Sequence, residues 1–350
     1  MTVSKVYPSD KRANAQIEKL LLNEGIRRDK NLDYTCAAYD DDYNVIATGS
    51  CFGNTLRCMA VSHSHQGEGL MNEIVSHLVQ YEYERGIYNL FLYTKCNSAK
   101  FFGDLGFYEI VRVENQIVFM ENRKTGFQDY LNELAKTRRE GNRVSALVLN
   151  ANPFTLGHQY LVEKASRESD ILHLFIVSED ASLVPFEIRK RLVIEGTSHL
   201  NNIIYHDTGA YIISSATFPS YFQKDDNAVI ESHANLDLSI FVKIAQVLGI
   251  NARYVGEEPK SLVTGIYNNI MSAKLPENNI QCVIVPRLRE SGESSQVISA
   301  SNVRQALKEG RLEEIKSLVP ESTYKFFTSK SPEAEKIIAR IRGTDNVIHY

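Results

Sequence analysis

Thr155, Gly157 and His158 close the stretch Asn150-Ala-Asn-Pro-Phe-Thr-Leu-Gly-His158. The strand-like run Val144-Ser-Ala-Leu-Val-Leu149 precedes it, and a helix-like run from about Leu156 to Arg167 follows. A strand that ends in an Asn/Pro/Thr/Gly turn, with a histidine at the mouth of the next helix, is suited to holding a triphosphate. Helix N-terminal amides and the helix dipole both favour an anion there. Gly157 lets backbone approach closely. His158 can hydrogen-bond to a phosphate oxygen or carry positive charge to it. Asn150 and Asn152 are candidates for shaping the loop. The plainer alternative is a strand-to-helix turn with a capping threonine and a surface histidine.

A second group lies far downstream, in Val297-Ile-Ser-Ala-Ser-Asn-Val-Arg304-Gln-Ala-Leu. Ser299 and Ser301 are placed to cap a helix over roughly 302–309. Arg304 falls in its first turn, on the side from which a phosphate would come. A third group is Ser62-His-Ser-His-Gln-Gly-Glu-Gly69, again between a strand and an amphipathic helix. Gly67 and Gly69 would free the amides at that helix start to cradle a diphosphate. His63 and His65 beside them read as exposed loop histidines.

The elements that must position these groups divide the chain in two. Up to about Gly141 the pattern is a helix from Lys11 to Glu24, strands at 34–39 and 45–50 joined as a hairpin, and a strand at 56–61. The helix from Gly69 to Glu84 carries Leu70, Ile74 and Leu78 on one face, and further strands lie at 90–94, 106–113 and 116–121. From Val144 onward strands alternate with helices: strands at 144–149, 171–177, 203–206, 253–256 and 280–285, with helices at 186–198, 236–248 and 265–273. That alternation predicts a parallel doubly wound sheet with ligands at the strand C-termini. The expected division is residues 1–140 and 141–350. Arg189 and Lys190 read as a solvated helix face that could add positive charge. Glu257 and Glu258 follow a strand end, where ribose contacts could gather.

Composition narrows the class. A net charge of -4 over 350 residues argues against a nucleic-acid binder. Five cysteines, an odd number without a C-x-x-C, indicate neither a disulfide framework nor a zinc site, and no metal ligands are assigned to the protein. Four of them fall in the first 100 residues on strand-like segments, as small buried hydrophobes. No run approaches the roughly 18 apolar residues of a membrane span. The expectation is a cytoplasmic enzyme.

The first two groups resemble the T-x-G-H form of the H-x-G-H signature and the I-S-x-S-x-x-R signature of the nucleotidyltransferase superfamily, in the same order. The resemblance implies that His158 and Thr155 attend the ATP phosphates. Ser299, Ser301 and Arg304 would hold the β/γ-phosphates, with Mg²⁺ bridging their oxygens. The third group resembles the pyrophosphate loop of GNAT acetyltransferases, [QR]-x-x-G-x-[GA], with Ser64 where Gln or Arg is usual. Asn97, Ala99, Gly106 and Phe107 match a later GNAT segment, one residue shorter. Phe102 stands where that family often places a tyrosine acid, and phenylalanine has no proton to give; Tyr108 is a possible substitute. The implied fold is α/β: a GNAT-like mixed domain followed by a Rossmann-like nucleotidyltransferase domain.

This pair of domains, with Tyr211–Phe222 and Arg253–Pro259 as further familiar segments, resembles the citrate lyase ligase family. The resemblance implies acetate activation by ATP through acetyl-AMP. The acetyl group would then pass to the thiol of the CoA-derived prosthetic group on the citrate lyase acyl carrier subunit. Tyr211–Phe222 would wall the acetate pocket or serve as a buried structural loop. Two other readings stay open: an adenylyltransferase forming a dinucleotide-type product, and an acetyl-CoA-dependent protein acetyltransferase with a nucleotide-sensing domain.

Overall fold

The structure, a computed structural model, describes residues 2–179, 182–212, 218, 226–257, 262–288 and 297–345. The chain forms two compact units, Met1–Tyr130 with Pro219–Ser239, and Leu131–Phe218 with Ile240–Tyr350.

The first unit runs β1 (Ser4–Lys5), α1 (Lys11–Asn23), β2 (Tyr34–Tyr39), β3 (Val45–Phe52), β4 (Thr55–Val61), α2 (Leu70–Glu84), β5 (Phe91–Thr94), α3 (Ala99–Asp104), β6 (Tyr108–Val113), β7 (Ile117–Glu121) and the start of α4 (Gly126–Ala135). Its seven strands form one sheet in the order β1-β2-β3-β4-β5-β7-β6. Helices cover both faces. Leu70, Ile74 and Leu78 of α2 pack on one side with Leu56, Leu92 and Phe102. Ile17, Leu20 and Leu21 of α1 pack on the other with Ala37 and Ala60. Every neighbouring pair is antiparallel except β4 and β5, whose parallel pairing lasts only through Thr55↔Phe91 and Leu56↔Leu92. Beyond that point the two strands no longer pair, and this leaves unpaired backbone at the middle of the sheet. Cys36, Cys51 and Cys58 are buried on strands as expected, whereas Cys96 sits in the turn after β5, half-buried.

The second unit continues with β8 (Val144–Leu149), α5 (Leu156–Arg167), β9 (Ile171–Ile176), α6 (Phe186–Gly196), β10 (Ile203–Asp207), the end of α7 (Asp226–Leu248), whose residues up to Ser239 belong to the first unit, β11 (Ala252–Gly256), α8 (Leu262–Lys274), β12 (Gln281–Val285), α9 (Ala300–Lys308), α10 (Glu321–Thr328) and α11 (Pro332–Arg342). Five parallel strands lie in the order β10-β9-β8-β11-β12. The chain leaves β8 toward β9 and β10 on one side and returns to β11 and β12 on the other. The switch point is therefore between β8 and β11, and sheets of this kind bind ligands at the strand C-termini there. β8 and β9 are near-continuous apolar runs because helices cover both of their faces.

Two of the boundaries that differ from the expectation have a local cause. α7 begins at Asp226, ten residues before the apolar periodicity, because Ser232, His233, Asn235 and Asp237 are buried polar residues that break the pattern. The downstream helix begins at Ala300 rather than Asn302, since Ser299 alone occupies the cap.

His173 of β9 and His206 of β10 form a buried pair, with Nδ1 of the first 2.8 Å from Nε2 of the second. Burial pushes His173 down to about 4, helped by the charge of Arg139. Burial and the neighbouring imidazole push His206 down to about 3. Both are held neutral in the fold but take up protons near pH 6.5 when unfolded. The unfolded state therefore binds more protons below that pH, and stability falls as pH drops from about 6.5 toward 4. Urea unfolding at pH 7 and pH 5 is expected to differ by roughly 1–2 kcal/mol per imidazole. His206→Gln, which keeps a hydrogen-bonding group but does not titrate, is expected to reduce that difference.

Candidate functional site

The loop Asn150–Thr155 leaves β8 at the switch point. Its main chain is gripped by two buried guanidinium groups. Arg189, fully buried on α6, donates to the carbonyl oxygens of Asn150, Val177, Glu179 and Val184. Arg304, 2% exposed, donates to the Asn152 carbonyl at 2.6 Å and to Ser301 Oγ at 3.1 Å. Arg189 is thus not on a solvated face. It ties four backbone acceptors together, while half-buried Lys190 pairs with Asp207. Side chains of the loop add two further ties. Asn150 Oδ1 accepts from Ser182, and Asn152 Oδ1 from the Val184 N–H.

Thr155 caps α5 and accepts the His158 N–H, while His158 Nδ1 accepts the Thr155 N–H at 3.1 Å. With the Thr155 hydroxyl also 3.0 Å away, the imidazole lone pair is fixed on Nδ1, so its proton sits on Nε2. The ring stacks against buried Phe154. Burial, then the charges of Arg287 and Arg304, push His158 down to about 4. Of the two roles open to His158, the free protein has the neutral one: an oriented N–H donor.

Gly157 admits a close backbone approach within the protein. A Cβ there would stand 3.1 Å from the Ile298 carbonyl oxygen, one residue before the Ser299 cap of α9. The two sequence groups, about 140 residues apart, therefore meet at this point. The N-termini of α5 and α9 come together with Arg304 and Arg287, so amide dipoles and two cations share one locality. Such a place attracts a polyanion. Arg287, half-buried after β12 and donating to the Glu257 carbonyl, was not singled out from the sequence. Its only sequence cue is a position just beyond a strand C-terminus. Ser301 lies inside the first turn and accepts from Arg304, so it is not a second cap. Glu257 is exposed; Glu258 and most of Tyr211–Phe222 lie outside the described residues. Of that segment Tyr211, Ile212 and Phe218 are described, and they are buried.

In the first unit a cavity of about 830 Å³ opens where β4 and β5 part. Met59 and Val61 line one wall, Tyr93 and Thr94 the other, and Gly67, Gly69 and Phe102 also border it. Gly67 and Gly69 have φ of +90° and +80°, and Gly69 is the N-cap of α2. This backbone conformation is available to glycine at little cost. His65 borders the cavity, with its Nδ1 2.9 Å from Ser64 Oγ, whereas His63 does not. Tyr108 is exposed at the start of β6 and is not among the lining residues, so it is not placed to replace the missing acid.

A mixed sheet splayed beside a glycine-rich helix start, and a parallel sheet with T-x-G-H and I-S-x-S-x-x-R at its switch point, define an α/β enzyme with a GNAT-like and a nucleotidyltransferase-like unit. The family model of the citrate lyase ligase C-terminal domain matches residues 144–327. The chain is 37% identical over 316 residues to citrate (pro-3S)-lyase ligase of Haemophilus influenzae, covering 89% of this chain and 93% of that one. It is 37% identical to the Escherichia coli enzyme of the same name, over 91% and 92%. With that of Klebsiella pneumoniae it shares 38% over 81% and 83%. The chain belongs to the citrate lyase ligase family.

Histidine-selective NMR of the free protein is expected to show His158 neutral, protonated on Nε2, with a midpoint at about 4. Inorganic pyrophosphate should raise that midpoint, because a nearby anion favours the imidazolium. An unmoved midpoint would remove His158 from the anion site.

Proposed function

We propose that the chain acetylates the thiol of the CoA-derived prosthetic group on the citrate lyase acyl carrier subunit, in two steps that use ATP. In the first, an acetate oxygen attacks the α-phosphorus, pyrophosphate leaves, and acetyl-AMP forms. In the second, the carrier thiol attacks the acetyl carbon, AMP leaves, and the thiol proton passes to solvent. The observation that carries the reading is the meeting of two helix N-termini, Arg287 and Arg304 beside an oriented His158 N–H, in a chain of this family.

The protein's part in adenylation is to orient the reactants and neutralise developing charge. His158 donates from Nε2 to an oxygen of the α-phosphate, and Thr155 fixes the ring that does so. Gly157 and Asn150 keep the loop in register. The amides around Ser299 and Ser301, with the charge of Arg304, receive the departing pyrophosphate. Arg304 is pushed down only to about 10 by burial, so it stays charged at neutral pH. Mg²⁺ would come with ATP and neutralise part of its phosphate charge, the usual mode for this ion. Among the described residues no group of three or more His, Cys, Asp or Glu gathers into a protein cage for a metal.

Residues 1–140, with the functional division at 140/141, receive the prosthetic group. The amides at Gly67 and Gly69 hold its diphosphate, and the cleft between β4 and β5 takes the pantetheine arm. The thiol is the nucleophile here, so no acid is needed to protonate a leaving thiolate, and Phe102 is chemically adequate as a wall. A cytoplasmic setting is part of this reading because ATP is the co-substrate. Among the described residues no helix is long and apolar enough to cross a membrane.

Acetate-dependent exchange of labelled pyrophosphate into ATP tests the first step without the carrier. His158→Ala is expected to depress this exchange by roughly 100-fold or more, the scale of a lost charge-stabilising donor. Gly67→Val, which strains a backbone of positive φ at the cavity edge, is expected to spare the exchange and abolish acetyl transfer to the carrier. Exchange without any acetate requirement would defeat the reading.

A further inference from the structure

Asn152 is 2% exposed, and its side-chain amide is only half satisfied. Oδ1 accepts the Val184 N–H at 3.0 Å, whereas Nδ2 is buried with no partner. The amide cannot be turned round, since an NH₂ group facing the Val184 N–H would set donor against donor. The main-chain oxygen of the same residue is taken by Arg304. Two N–H donors are therefore withheld from water at the carboxyl end of β8, three residues before the cap that orients His158. Buried side-chain donors ordinarily have acceptors, and leaving one unpaired is costly. The other buried atoms without partners, such as His173 Nε2, Asn268 Oδ1 and Thr323 Oγ1, lie outside this loop.

We propose that Asn152 Nδ2 donates to the acyl oxygen of the bound carboxylate and of the acyl-adenylate made from it. The inference rests on the carboxylate-activation reading above. The phosphates already have the His158 N–H, two arginines and the amides of two helix starts. The acyl oxygen has none of these, and its charge changes during the reaction. It is a shared negative charge in the carboxylate, neutral in the mixed anhydride, and an oxyanion when the thiolate pair forms the C–S bond. That oxyanion then collapses, the carbonyl re-forms and AMP departs with the C–O bonding pair. A fixed neutral donor serves every one of these states without gaining or losing a proton.

Asn152→Asp separates this role from a structural one. It keeps an oxygen for the Val184 N–H and replaces the NH₂ group with a carboxylate oxygen, whose added charge the AMP comparison controls for. Calorimetry would compare a stable acetyl-adenylate mimic, acetyl-sulfamoyl adenosine, with AMP on the wild-type chain and on N152D, with thermal unfolding measured alongside. The expected result is a loss of roughly 10- to 100-fold for the acyl mimic, with AMP weakened far less. Unchanged affinity for the mimic, or equal loss for both ligands, overturns the proposal. A wild-type comparison with the ethyl ester of AMP needs no variant. This ligand lacks the acyl oxygen and is expected to bind roughly 10-fold or more weakly than the acyl mimic; equal binding overturns the proposal even if N152D does not fold. A wild-type chain that prefers neither acyl mimic nor ester over AMP rejects the carboxylate-activation reading itself, a result distinct from a preference that survives in N152D.

Discussion

Two buried arginines hold the loop after β8 by its main-chain oxygens, and the rest of the second unit's site depends on that grip. Arg189 takes the Asn150 carbonyl from the α6 side, and Arg304 takes the Asn152 carbonyl from the α9 side. A guanidinium is well suited to this, because it offers five donors in a rigid fork and stays charged when buried. Arg189 spends its donors on four backbone acceptors of the loop, the end of β9 and the approach to α6. The loop thereby acquires a fixed shape without a regular element of its own. The two charges are kept close to the switch point, where they favour an anion.

This arrangement also explains the state of His158. Its burial and the nearby charges of Arg287 and Arg304 drive it neutral, and the Thr155 cap decides which nitrogen keeps the proton. An oriented N–H donor is set for an anion without reorganisation. In the first unit the corresponding constraint is negative: β4 and β5 stop pairing after Leu56 and Leu92. The unpaired stretch forms the walls of the cavity, and the glycine-rich start of α2 closes one end.

Much of this was legible in the residues. The strand, loop and helix around Asn150–His158, the cap at Ser299 and the amphipathic α2 all follow from local chemistry, because capping, apolar spacing and glycine conformation act over a few residues. Where the residues misled, the cause was distance or burial. Arg189 looks like a solvated helix residue because nothing local reveals four carbonyl acceptors drawn from three segments. Arg287 carries no motif, and its influence on His158 exists only in space. The first ten residues of α7 escaped because buried polar side chains erase the apolar period.

Short-range pattern and residue type were enough to specify the alternation of strands and helices, the two phosphate-type motifs and the family. Three other features arose only when the chain packed. Gly157 admits the Ile298 carbonyl, Ser301 serves Arg304 rather than a cap, and His158 is neutral with its proton on Nε2. Ser301 and Arg304 are neighbours within one helical turn, but the Asn152 carbonyl that holds Arg304, the Ile298 carbonyl at Gly157 and the arginines that bear on His158 come from distant parts of the chain and meet only through packing of the sheet and its helices.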